Sequence, residues 1–299
     1  MTGMQECLVA FLDILGFKEL TRRCNDDSSL QDRLLIALKE AYQVPRFTHV
    51  SLSDKPGQSG LWTLQMQVVS DTVILFIPAM NDGAANLLNS VRVLHDRLFD
   101  NRVLLRGAIT IGSMYWDDTW SSASDLRHQP RQTIAFGPGL IDAHEMESKL
   151  AVYPRILLSD RFLDHVADES LNKSPNCLCH GRIPDVFRLC EDGLHHFDVL
   201  HPKIKRETRR EVSHDTAHSG DEAPDLAAMP HRDYISNYRS GLAELLNEET
   251  PRVRAKLHWL ASYFNTTVTR LPYGAPLHID AKHVAADDTV ESKALQDIT

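Results

Sequence analysis

Two acids stand out by their surroundings. Asp13 lies in FLDILGF and Asp71 in VVSDTVIL, each where an apolar run meets a turn. Apolar neighbours on both sides put these carboxylates near a core rather than on a solvated face. Two carboxylates converging at neighbouring strand ends make a hard oxygen site for magnesium or manganese. Two such ions can clamp the attacking and leaving oxygens of a phosphoryl transfer. The amides of Leu15, Gly16 and Phe17 follow directly and can hold polyphosphate oxygens. The same two acids also suit ordinary turns, where Asp is common.

The elements around them follow from periodicity and turn residues. Cys7 to Leu12 predicts a buried strand turning at Gly16, and Ser28-Ser29 caps a helix to about Tyr42 with Leu30, Leu34, Leu35 and Leu38 on one face. Leu61 to Gln67 alternates and continues through Ser70-Asp71 into a second hairpin arm, Thr72 to Ile77, so Thr63, Gln65 and Gln67 share the face toward Asp71. Ala84 to Phe99 predicts a helix, Val103 to Ile111 a strand closed by Gly112, and residues 113–132, with Trp116 and Trp120, a polar surface insertion. Ile134 to Gly137, a helix from Leu140 to Leu150, a strand from Arg155 to Leu158 and a helix capped by Ser159 complete the first part. A late hairpin turns at Glu191-Asp192-Gly193. Mixed strands and helices around a central hairpin give an α+β fold with helices packed on an antiparallel sheet.

The division expected is a catalytic domain over 1–202, an exposed linker over 203–228 that is almost free of large apolar residues, and a helical appendage with a loose tail over 229–299. In the appendage Arg254, His258 and Ala261 face out while Leu257, Leu260 and Phe264 pack. With 41 acidic against 32 basic residues the net charge is −9, which disfavours a nucleic-acid-coating surface. No apolar stretch is long enough for a membrane helix, and no secretory leader is legible. Five irregularly spaced cysteines point to reduced thiols and a cytoplasmic home. Cys177-Leu178-Cys179-His180 is spaced too tightly for a usual zinc site. Neither GxSxG nor GxxxxGK[ST] occurs.

Phe11-Leu12-Asp13-Ile14-Leu15-Gly16-Phe17 resembles the first metal motif of the class III nucleotide cyclases. Ser70-Asp71 is similar to their glycine-aspartate hairpin turn, Arg106 to Gly112 to their next strand, and Phe136-Gly137-Pro138 with Ala143 and Met146-Glu147-Ser148 to the segment entering the last core helix. The resemblance covers roughly residues 7–165. It implies a ferredoxin-type βαββαβ core sheet with packed helices, a head-to-tail homodimer, two Mg²⁺ or Mn²⁺ ions per site at Asp13, Ile14 and Asp71, and a triphosphate near Ile14, Leu15, Gly16 and Phe17.

The departures narrow the substrate. The base-selecting position four residues before the second metal acid is Gln67, where adenylate cyclases carry Lys and guanylate cyclases Glu. The second selector position holds Ile134 rather than Asp. With its short Arg106-Gly107 strand and the Phe136-Gly137-Pro138 segment, the pattern looks most like the pyrimidine cyclases of bacterial Pycsar anti-phage systems. That implies UTP, or else CTP, as substrate and a separate effector protein that senses the cyclic nucleotide. The family's transition-state Asn and Arg fall at Ile141 and Glu145, so Arg106 and Lys149 are the candidate replacements. A purine cyclase with unusual selectors and a non-catalytic nucleotide-binding domain stand as rivals.

Overall fold

The computed structural model describes residues 3–41, 49–52, 60–80, 82–117, 134–167, 178–179, 182–204, 231–248, 251–272, 274 and 277–280. It is a mixed α/β fold built on one large sheet. In chain order the elements are β1 (Gln5–Ile14), α1 (Phe17–Arg23), α2 (Ser28–Ala41), β2 (His49–Leu52), β3 (Gly60–Thr63), β4 (Gln65–Val69), β5 (Thr72–Pro78), α3 (Gly83–Asp100), β6 (Leu105–Asp117), β7 (Ile134–Phe136), α4 (Pro138–Leu150), β8 (Ile156–Leu158), α5 (Asp160–Ala167), β9 (Phe187–Leu189), β10 (His195–Phe197), α6 (His231–Glu248) and α7 (Pro251–Thr269). The sheet runs β4-β5-β1-β6-β8-β10-β9, with β7 branching from the end of β6, while β2 and β3 form a separate hairpin.

β1 is interior to the sheet and is covered on one face by α3 and on the other by α4, so its apolar run is nearly unbroken. Leu8, Ala10, Leu12 and Ile14 point into the main core with Leu87, Val91 and Leu94 of α3. Cys7 and Val9 point to the other face, where Ile74, Phe76, Met114 and Ala143 pack. α4 lies on that second face. Its seat is a contact between glycines: a Cβ on Gly112 would fall 2.6 Å from the Gly139 Cα. Gly112 therefore does not close the strand as expected, and β6 continues to Asp117. Trp116 belongs to this strand and meets the edge of Phe76 at 5.6 Å, while Trp120 lies outside the described residues.

Other expectations are corrected locally. The N-terminus of α2 is capped by Asp27, whose Oδ1 accepts from Leu30 N–H at 3.0 Å, not by Ser28 or Ser29; Leu35 is exposed and Ala37 and Ala41 pack instead. The strand expected over 61–67 is broken at Leu64, so Thr63 belongs to the β2–β3 hairpin, opposite His49. Ser159 does cap α5, accepting from Phe162 N–H at 3.2 Å.

The C-terminal helices dock on the core. Ile235, Tyr238 and Leu242 of α6 and Leu257, Leu260, Ala261 and Phe264 of α7 join the same buried cluster as β1 and α3. Ala261 is thus buried, contrary to the outward position expected. Tyr238 stacks on Phe99 and the Tyr234 hydroxyl donates to Asp96 at 2.8 Å. Ile204, in the segment read as linker, is buried and bridges Cys179; residues 205–230 lie outside the described residues. Past Pro272, Ile279 is buried and its backbone bonds both ways to the Asn265 amide, so this part of the tail is held.

His196 is buried, with Nδ1 3.2 Å from the Cys190 thiol, and burial with the charges of Arg155 and Arg188 lowers its pKa to about 3. An imidazole at that value when folded, and at its ordinary 6.5 when unfolded, binds more protons in the unfolded chain between the two. Its contribution to stability is present above pH 6.5 and is lost as pH falls toward 3. Between pH 7.5 and 4.5 that loss is on the order of 2 kcal/mol. Denaturant melts of wild type and His196→Phe check it: the variant should lose less stability on acidification, and equal losses would remove His196 as the cause.

Candidate functional site

Asp13 is the penultimate residue of β1, and Asp71 sits in the β4–β5 turn beside it. Ile14 N–H donates to the Asp71 carbonyl at 2.9 Å, and Asp13 is the register partner of Thr72. The turn is made by Ser70-Asp71, with Ser70 at φ 57°, a conformation natural to glycine. Across the other edge of β1, Asp13 is paired with Arg106 of β6. Side chains paired across neighbouring strands share a face, so Asp13 and Arg106 point to the side that α4 covers.

There the side chains form a charged cluster. Arg106 Nε donates to Asp13 Oδ2 at 2.9 Å, and Nη1 donates to the Ala151 carbonyl at 3.1 Å. Nη2 lies 3.0 Å from Oε1 of Glu147, on α4. Glu147 is 4% exposed, and Oε1 has no aligned hydrogen bond, so that contact is an ion pair off the N–H axis. Burial raises the pKa of Asp13, Arg106 lowers it, and the charge of Asp71 raises it again. Glu147 is raised likewise, by burial first, with Arg106 opposing and Asp13 and Asp71 adding. Lys256 of α7 is within electrostatic reach of Asp13. On the same face of β1 as Asp13, the Phe11 ring lies 4.9 Å from that of His144.

These acids suit a divalent cation. Two carboxylates repel one another in a half-buried place, and a cation between them removes that cost. Among the described residues no three His, Cys, Asp or Glu side chains form a chelating group. Two acids with the remaining positions left to phosphate oxygens and water is how Mg²⁺ is commonly held at phosphoryl-transfer sites.

The sheet register also places Gln67. Its row runs Gln67, Ile74, Phe11 and Ala108, adjacent to the row Val69, Thr72, Asp13 and Arg106. Gln67 thus shares the face of Asp13, two strands away and roughly 12 Å between Cα atoms by standard strand spacings. Ile134 does not join them. It pairs with Asp117 at the far end of β6, roughly 35 Å along the strand from Arg106, and is exposed. Lys149 also stays apart: it lies on the exposed side of α4, paired with Glu145 at 2.6 Å. Ile141, Glu145 and Lys149 form one outward stripe, while Gly139, Ala143 and Glu147 form the buried one. Of the amides expected at phosphate, Leu15 N–H is committed to the Leu104 carbonyl at 2.9 Å. Those of Gly16 and Phe17 stand at the start of α1, where helix geometry provides no partner.

Sequence reasoning missed Glu147 and Lys256. Glu147 carried a signal, since an acid four residues after Ala143 and eight after Gly139 falls on a small-residue helix face. Lys256 carried none, because only the docking of α7 brings it near.

Comparison by sequence with protein families finds no match, and comparison with curated proteins finds none. In structure the chain is similar to a class III adenylyl cyclase-like ATP-binding protein from Pseudomonas aeruginosa, with TM-score 0.38 and 10% identity over 66% of this chain. The match spans 38% of that protein's chain. No helix among the described residues is long and apolar enough to cross a membrane.

Proposed function

We propose that the chain is a metal-dependent pyrimidine nucleotide cyclase that converts UTP to 3′,5′-cyclic UMP and pyrophosphate. One observation carries the reading: Asp13 and Asp71 are juxtaposed at the end of β1 by a backbone hydrogen bond, with the Asp13 carboxyl raised by burial and by its neighbour. We read β1, α1–α2, β4–β5, α3 and β6 as the βαββαβ unit of a cyclase-like core, residues 1–202 as its domain and 229–299 as its appendage. Asp13 and Asp71, with Ile14 between them, would hold two Mg²⁺ or Mn²⁺ ions. Bound there, the ions neutralise triphosphate charge and favour ionisation of the ribose 3′-hydroxyl. The Gly16 and Phe17 amides would donate to phosphate oxygens. The 3′-oxygen attacks the α-phosphorus in line as the bond to the β-phosphate oxygen breaks, a reaction that rests mainly on positioning.

The functional unit is a homodimer, in which the outward stripe of α4 and Ile134 serve the partner's site. The setting is a cytoplasmic anti-phage signalling system with a separate effector that senses the cyclic nucleotide. Incubation with each of the four ribonucleoside triphosphates and Mn²⁺, followed by product identification, tests the reading: a cyclic pyrimidine supports it, and a cyclic purine alone overturns the substrate. A second reading, nucleotide binding without turnover, is favoured by the Ile141 and Glu145 positions, which offer no donor to a transition state. Binding without product would select it.

Uridine is the base expected. The Gln67 amide offers both a donor and an acceptor, matching the O4 and N3–H edge of uracil. In competition under limiting enzyme, UTP should be cyclised faster than CTP. Gln67→Ala should erase that preference, worth about 1–3 kcal/mol if the base edge is left unpaired. Faster turnover of CTP by wild type reverses the assignment, and an unchanged ratio in the variant removes Gln67 as the reader.

A further inference from the structure

We propose that Glu147 is a positioning residue for the metal acids: it is a second acidic partner of Arg106, ion-paired rather than hydrogen-bonded to it, and it draws the guanidinium off Asp13 when a divalent cation binds. The inference rests on the reading of Asp13 as a metal-binding acid.

Arg106 is held unequally. Its Nε and Nη1 bonds, to Asp13 and to the Ala151 carbonyl, are aligned. Its Nη2 contact with Glu147 is close, at 3.0 Å, but not aligned. The Glu147 carboxylate is therefore buried with an oxygen whose hydrogen bonding is incomplete. An unmet buried anion is costly, and a planar two-bond pair with a guanidinium would satisfy it. The Asp13 carboxylate makes the opposite case. It is needed by Arg106 only while no other cation is there, because a divalent ion on Asp13 repels the guanidinium at contact distance.

The Ala151 carbonyl gives the guanidinium a fixed point about which it can turn from Asp13 toward Glu147. α4 cannot drift away during that turn, since its N-terminus is seated backbone to backbone, Gly139 on Gly112. The charges around the cluster are Asp13, Asp71 and Glu147 against Arg106, with Lys256 and His144 in reach. Among the described residues, a cation on Asp13 leaves Arg106 beside one other acid that it already touches, Glu147. Without Glu147 the guanidinium stays on Asp13 and competes with the metal.

The test is Mn²⁺ binding to the full chain without nucleotide, read by the electron paramagnetic resonance of free Mn²⁺. Glu147→Gln should weaken binding about 10-fold, the lower end of what groups orienting a metal ligand contribute. Arg106→Met removes the competitor and should tighten binding by a similar factor. In the Arg106→Met background, adding Glu147→Gln should change affinity by less than about 2-fold, since residues acting through one another are not additive. A full 10-fold loss in that background means that Glu147 acts on the cation directly and overturns the proposal. So does unchanged affinity in folded Glu147→Gln. Should Glu147→Gln not fold, Arg106→Met decides alone: weaker or unchanged binding overturns the idea. Asp13→Asn serves as the separate control, because Mn²⁺ binding that survives it would sink the metal reading itself.

Discussion

Asp13→Asn and Asp71→Asn should each reduce cyclic product by at least about 100-fold, beyond the 10–100-fold that outer-shell changes cost at metal sites. The substitutions replace an anion with a neutral amide of the same shape, so a divalent cation loses one charged ligand. The fold should survive. At position 13 burial already opposes the charged form, and the amide oxygen can still accept from Arg106 Nε, now 2.9 Å from Oδ2. At position 71 the backbone bond that joins the turn to β1 uses the carbonyl, which the change leaves in place. Circular dichroism and melting temperature check the fold, and product is measured by chromatography. Chelation should stop wild-type turnover and Mn²⁺ should restore it. Wild-type turnover by either folded variant would end the two-acid assignment.

Mixing two inactive variants should restore activity. Lys149 lies on the outward stripe of α4, away from the Asp13 cluster of its own chain, where the buried stripe presents Glu147. If Lys149 acts on a phosphate, it does so in the site of a second copy. Asp13→Asn and Lys149→Ala chains, each inactive alone, should then complement. Random exchange makes half the dimers mixed, each with one intact site of two, which gives about a quarter of wild-type activity. Exposed Ile141, Leu150 and Val152 on and just after α4, with Phe136 nearby in sequence, supply apolar surface for such an association. No recovery on mixing proteins shown to exchange subunits would place each site within one chain.

Much of the framework was legible in the sequence because it depends on neighbours along the chain. The apolar run ending at Asp13, the tight turn at Ser70-Asp71 and the alternating arms on either side are local signals, and the structure places the two acids side by side as they suggest. The Ser159 cap and the late hairpin are local in the same way. Signals failed where a residue's role was set across the fold. Gly112 read as a strand end, yet it is the flat place on β6 that lets Gly139 of α4 approach. Ile279, in a stretch read as loose, is tied back by Asn265.

Arg106 was legible as a cation near the acids, but not as one already shared among Asp13, Glu147 and a carbonyl. Three segments meet there: β1, β6 and the end of α4. Register between strands and the seating of a helix decide which side chains touch, and both are set by long-range packing. Periodicity fixes the face on which a side chain lies; the fold alone selects what faces it.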